Sequence, residues 1–255
     1  MQSQPHYHIS KTADGSHTLY VPAIDESFHS VFGAIRESEF IFIEHGLRAC
    51  SKNAVRVLEI GFGTGLNVLL TALEAVRTHK TIHFTTLELY PLEEIYIRQL
   101  NYPEILTDVK AKPEDEIEIG TETDYDSQTG TGIKTDLDAA VLFEKIHASA
   151  WGTDAVINPY FTLHKMKADF ITCSLPGLYD VVYFDAFSPE KQPEMWAAPC
   201  FEKIAAHCLP DAVLMTYCAK GSVRRALQQA DFRVERLQGP PGKRECLRGV
   251  YQKKE

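Results

Sequence analysis

Val57-Leu58-Glu59-Ile60 is an apolar, strand-like run that leads into Gly61-Phe62-Gly63-Thr64-Gly65, after which Leu66-Asn67-Val68-Leu69-Leu70 opens a helix. Glycine suits backbone that must turn with positive φ or come within contact distance of a ligand. A helix amino terminus aimed at the same point adds free N–H groups and the positive end of a dipole. Such a unit binds the adenosine part of a nucleotide-like cofactor. The dinucleotide spacing G-x-G-x-x-G requires glycine at position 66, where this chain has Leu, so a dinucleotide fits less well. The bland alternative is a tight connection from strand to helix.

In doubly wound sheets a ligand lies outside the carboxyl ends of the strands, at the point where strand order reverses. Glu88 closes the second expected strand, where a carboxylate accepts hydrogen bonds from two ribose hydroxyls; its other reading is an N-cap for the next helix. Asp169 follows the third, placed either to accept an adenine amino group or to sit solvated in a loop. After the fourth strand comes Asp185-Ala186-Phe187-Ser188-Pro189. A carboxylate there can orient the N–H groups of a nitrogen nucleophile and take its proton, directly or through water. Phe187 is then a stacking wall for a planar base, with core packing as the alternative. Lys220, Arg224 and Arg225 after the fifth strand, with Lys243 and Arg244 in the last loop, can hold phosphates around a bound nucleotide.

The elements that must position these residues follow from hydrophobic periodicity. Residues 7–21 predict a β-hairpin turning at Ala13-Asp14-Gly15-Ser16, and 33–49 a helix with Ile35, Phe40, Ile43 and Leu47 on one face. Strands are expected at 54–60, 81–87, 161–165, 179–184, 212–217, 232–237 and 246–251, and helices at about 66–77, 91–100, 138–149, 194–208 and 222–230. Alternation at this spacing means an α/β, doubly wound, mostly parallel sheet. Residues 238–245 leave no room for a helix, so the last two strands form an antiparallel pair at one edge. The expected division is a hairpin-and-helix extension at 1–50 and a main domain at 51–255, with an acidic, Gly- and Thr-rich surface insertion at about 112–136.

Composition narrows the classes. Hydrophobic residues at 44% and charged residues at 24% are ordinary globular values. No apolar run reaches the ~20 residues of a membrane span, and the N-terminus lacks signal-peptide organisation. The six cysteines form no C-x-x-C pair. A reduced, cytoplasmic, metal-free protein is expected. The net charge of −9 opposes a nucleic-acid partner at first sight, but the acid is concentrated between 104 and 144, while Lys and Arg gather after 220.

G-x-G-x-G with an acid two places before the first glycine resembles the S-adenosylmethionine loop of class I methyltransferases, whose parallel sheet also ends in an antiparallel C-terminal edge strand. Further pieces are similar to the methyltransferase part of MnmC-type enzymes: Gly15-Ser16-His17-Thr18-Leu19, Glu37-Ser38-Glu39 with Phe42-Ile43-Glu44, Asp185-Ala186-Phe187-Ser188-Pro189 with Pro193-Glu194-Met195-Trp196, and Gly242-Lys243-Arg244-Glu245. The resemblance implies S-adenosylmethionine as cofactor, touched by Glu59, Gly61, Gly63, Gly65, Asn67, Glu88, Asp169 and Asp185. Within that set, Glu59 would hold the loop or the methionine amino group, and Asn67 the methionine carboxylate or a capping bond. It also implies methyl transfer to the amine of 5-aminomethyl-2-thiouridine at the tRNA wobble position, with Asp185 and Phe187 as catalytic residues and the anticodon stem-loop on the basic loops. Many members carry a fused flavin oxidase; here the chain stops at Glu255, so a separate oxidoreductase is expected to supply the substrate. Departures are the acidic insertion and Cys246, where Met is expected. The alternatives are a methyltransferase for a small-molecule or protein amine, and a catalytically silent scaffold. If Asp185 is not the base, Glu44 or another N-terminal acid is next in line.

Overall fold

A computed structural model describes residues 6–108 and 138–252; the expected insertion at 112–136 lies outside the described residues. The chain opens with a three-stranded antiparallel sheet of β1 (His8–Lys11), β2 (His17–Val21) and β3 (Glu26–Ser27). Its turn is tied by Asp14, whose Oδ1 accepts the Ser16 N–H at 3.0 Å, and Gly15 takes φ +88° there. The expected helix at 33–49 is broken into three pieces: α1 (Ala34–Ser38), a π-helical turn at Glu39–Glu44 and a 3-10 turn at Leu47–Ala49. The π turn, closed by the His45 N–H on the Phe40 carbonyl, buries Ile41, Phe42 and Ile43 in succession.

The main body alternates as anticipated: β4 (Ala54–Ile60), α2 (Leu66–Thr78) and β5 (Thr81–Glu88), then the short α3 (Glu94–Ile97) and α4 (Tyr102–Asp108). After the undescribed segment come α5 (Ala139–Ala148), β6 (Asp154–Asn158), β7 (Phe161–Lys167) and β8 (Tyr179–Phe184). The chain closes with α6 (Ala198–Ala205), β9 (Cys208–Thr216), α7 (Gly221–Gln229), β10 (Phe232–Gln238) and β11 (Glu245–Tyr251). Among the described residues these strands make one eight-stranded sheet in the order β10-β11-β9-β8-β4-β5-β7-β6. The run from β9 to β7 is parallel. β11 is antiparallel to both its neighbours, so the C-terminal strand lies one place inside the edge that β10 forms. β6 is an antiparallel edge strand on the far side, which the sequence pattern did not indicate.

β8 is buried at every position, as a strand covered on both faces must be. Val181 and Tyr183 face the core shared with α2, α5 and the π turn, while Val182 and Phe184 face the one shared with α6 and α7. Each such side chain contributes about 1.5–3 kcal/mol on burial. The chain crosses from one half of the sheet to the other between β4 and β8, so the loops after these two strands meet at the switch point.

Candidate active site

The loop after β4 is shaped by φ values of +99° at Gly61 and +75° at Gly65, which a side chain would strain. A Cβ at Gly61 would lie 2.6 Å from the Asp185 carbonyl oxygen, so the two switch-point loops abut through bare backbone. Backbone bonds lock this corner: Gly61 and Phe62 donate to the Leu87 carbonyl at 3.1 and 3.0 Å, and Asp185 donates to that of Ile60 at 3.0 Å. No side chain caps the amino end of α2, whose N–H groups stay available.

Around this corner lies a cavity of about 690 Å³. Gly61, Gly63, Asn67, Glu88, Asp169, Asp185 and Phe187 all line it, so seven expected site residues from four strand ends converge. Glu88 Oε2 accepts the Gly63 N–H at 3.0 Å and its Oε1 accepts the Tyr90 N–H at 2.9 Å, leaving lone pairs on both oxygens. Asp169 Oδ1 accepts the Ile171 N–H at 2.9 Å. Asp185 Oδ2 accepts the Asn67 amide at 2.8 Å. Burial pushes the Asp185 carboxyl up to about 7, against the opposing effect of the Asn67 bond. The Asp185–Pro189 turn is itself clamped: Trp196 donates to the Phe187 carbonyl at 2.7 Å and Tyr217 to that of Ala186 at 2.9 Å.

Other expectations land elsewhere. Glu59 is fully buried behind the loop, where its Oε2 accepts the Thr86 hydroxyl at 2.6 Å. Gly65 packs against Phe62 and His147 rather than the cavity. Lys220 is exposed and paired with Glu190, Arg225 and Arg244 are exposed, and Arg224 is half-buried. Lys243, expected with Arg244 to hold phosphates, lines the cavity, pairs with Glu37 and stacks 4.0 Å over the Tyr217 ring. Glu44, the fallback acid, is exposed on the π turn and does not line the cavity.

The N-terminal segment supplies a wall that the periodicity did not reveal. Glu26, Phe28, His29 and Glu37 face the cavity. Glu26 accepts the Ser188 N–H at 3.0 Å and its hydroxyl at 2.9 Å, and Phe28 meets Phe187 edge-to-face at 5.1 Å. Glu37 accepts the Ser30 N–H at 2.9 Å. Desolvation lowers His29 to about 4, so it is neutral near pH 7. One signal was present in the sequence: Glu37 belongs to a motif noted there, although without a role.

These features fit an adenosyl cofactor: a glycine corner with no room for Cβ, an uncapped helix start, and carboxylates at the ends of β5 and β7. Residues 156–252 match a protein family described as S-adenosyl-L-methionine-dependent methyltransferase. The sheet order is that of the class I methyltransferase fold, and the stretch from β6 to the C-terminal strand is similar to S-adenosyl-L-methionine-dependent methyltransferases.

Within that class the chain is similar to MnmC, the tRNA 5-methylaminomethyl-2-thiouridine biosynthesis bifunctional protein. The MnmC of Pseudoalteromonas atlantica is 28% identical over 95% of this chain and 33% of its own length. That of Delftia acidovorans is 29% identical over 92% and 34%. The chain thus spans about a third of the length of the curated relatives it matches. The crystal structure of MNMC2 from Aquifex aeolicus shares the fold, with a TM-score of 0.67 and 23% identity over 99% of this chain and 72% of that one. Among the described residues, no helix is long and apolar enough to cross a membrane, and no group of three or more His, Cys, Asp or Glu could hold a metal ion.

Proposed function

We propose that this chain methylates the amine of 5-aminomethyl-2-thiouridine at the wobble position of tRNA, with S-adenosylmethionine as donor. The observation that carries the reading is the switch-point corner, where Asp185, raised to about 7, borders the cavity beside the glycine loop. When bound, the cofactor supplies an electrophilic sulfonium methyl. Glu88 would hold its ribose hydroxyls, Asp169 its adenine amino group, and the start of α2 its carboxylate. Asp185 accepts N–H groups of the substrate amine and aims its lone pair at the methyl carbon. A neutral amine nitrogen that gains the methyl group, as the thioether leaves, becomes a positively charged ammonium far more acidic than the amine it came from. Asp185, with a value near 7, is placed to take that proton near neutral pH. Phe187, braced by Phe28, offers a face for the base.

Lys220 and Arg244, in the loops at the same end of the sheet, and Arg224 and Arg225, at the start of α7, would track the anticodon phosphates. Lys243 would act inside the cavity. An activity on tRNA fits a cytoplasmic protein, and a separate oxidoreductase would provide the aminomethyl group. The N-terminal extension serves the main domain as a substrate wall. The test is to incubate the chain with S-adenosylmethionine and tRNA carrying 5-aminomethyl-2-thiouridine, then analyse nucleosides by mass spectrometry. Conversion to 5-methylaminomethyl-2-thiouridine is expected; recovery of unchanged nucleoside would overturn the reading.

A further inference from the structure

Asp185 is oriented by the amide of Asn67, and that amide must itself be oriented. Turned half a circle, it would present oxygen to the carboxylate instead of N–H. Asn67 Oδ1 is buried with no hydrogen-bond partner, and so is Glu59 Oε1. The two side chains lie within interaction range of each other, Glu59 on β4 and Asn67 at the start of α2. Two buried acceptors left unsatisfied would each carry a desolvation penalty, whereas one proton on Glu59 satisfies both. Thr86 already donates to Glu59 Oε2, which leaves Oε1 as the protonated oxygen.

We propose that Glu59 is a neutral carboxylic acid whose Oε1–H donates to Asn67 Oδ1, locking the amide that positions Asp185. The surroundings favour the neutral form. Glu59 is fully buried, and desolvation, with Asp185 and Glu88 nearby, holds it well above the usual carboxylate range. Tyr183, from β8, is the other titratable group that interacts with it. A chain of hydrogen bonds therefore runs from Thr86 on β5 through Glu59 and Asn67 to the cavity at Asp185. Glu59 is a positioning residue that acts through Asn67, and its importance to turnover rests on the reading of Asp185 above.

Two measurements test the inference. Infrared spectroscopy of the unliganded protein at about pH 8.5, above the value near 7 at Asp185, should show a carboxylic-acid carbonyl band that Glu59→Gln removes and Asp185→Asn leaves in place. No such band would overturn the proposal whether or not the chain methylates tRNA. In methyl-transfer assays, Glu59→Gln keeps a donor for Asn67 and an acceptor for Thr86, so it should retain kcat within about threefold. Glu59→Leu removes both; kcat should fall about tenfold or more, with a smaller change in KM for the methyl donor and a displaced pH midpoint. Equal losses in the two variants would mean that a charge at Glu59 matters, and would overturn the proposal. Should the Leu variant fail to fold, the infrared band and the Gln variant decide.

Discussion

One wall of the cavity is made by strand ends and the residues that follow them, Gly61–Thr64, Asn67, Glu88 and Asp185; another is made by Glu26–His29 and Glu37, which come from the N-terminal segment. Main-chain bonds hold the first wall together, from Gly61 and Phe62 to Leu87 and from Asp185 to Ile60. The second wall is attached through side chains: Glu26 on Ser188, Phe28 on Phe187, and Glu37 on Lys243. Backbone pairing tolerates many side-chain changes, so the first wall suits a constant ligand. Side-chain contacts are easily retuned, so the second suits the variable part of a reaction, its substrate.

Substitutions should separate the walls, and the largest effect is expected at Asp185. Asp185→Ala should lower turnover at least ~100-fold with little change in cofactor affinity, which single-turnover assays and calorimetry would read. In the parent the rate should rise with pH through about 7 as Asp185 becomes able to accept a proton, and Asp185→Asn should lose that rise. The sign for stability is opposite. Folding raises this carboxyl from an ordinary 3.8 to about 7, so the native state binds the proton more tightly and stability falls as pH climbs between those values. Asp185→Asn should therefore unfold at a higher temperature than the parent at about pH 8, with a smaller gain at about pH 4. A variant that gained nothing at the higher pH would show that the acid is solvated.

Next in size is Glu88→Ala, which should weaken cofactor binding by about 1–3 kcal/mol in calorimetry, the cost of losing a pair of buried hydrogen bonds. Unchanged affinity would remove the ribose assignment and with it the claim that the first wall serves the cofactor. Glu37→Gln breaks the pairing with Lys243 on the second wall. It should raise the apparent KM for tRNA about three- to tenfold and leave cofactor affinity intact. A cofactor defect as large as that of Glu88→Ala would mean that the walls are not functionally distinct. The smallest effects belong to the outer loops. Arg244→Ala should reduce the salt dependence of tRNA binding by about one unit of slope, and Lys220→Ala by less, because Lys220 is already paired with Glu190.

What the sequence made legible follows the same division. β4 and β8 occupy the expected residues, because short runs dominated by β-branched and aromatic side chains and closed by glycine or acid stand out. Glu88, Asp169 and Asp185 could be placed because strand ends in this fold share one edge. β6 escaped notice since a short edge strand with Val156 exposed lacks a buried face to set its pattern. Residues 91–100 were expected to form one helix, yet only the turn of α3 forms there, and α4 starts beyond it with Pro103 in its first turn. Asn101, just before that helix, instead pins the N-terminal hairpin, accepting the His17 N–H at 2.7 Å and donating to the Gly15 carbonyl at 3.0 Å. Lys243 reads from the sequence only as one of the phosphate-holding cations, because its partner Glu37 is remote in sequence. Pairings of that kind leave no local pattern.

The bond between Glu26 and Ser188 spans 162 residues. On the ribosome, at roughly 5–20 residues per second, Ser188 is made about 8–32 seconds after Glu26. During that interval Glu26 and Phe28 wait without their partners, although β4, α2 and β5 have already been synthesised. The glycine corner also lacks the Asp185 backbone until then. A nascent chain shorter than this therefore cannot present a complete pocket, and capture of any ligand there belongs to a late stage of synthesis.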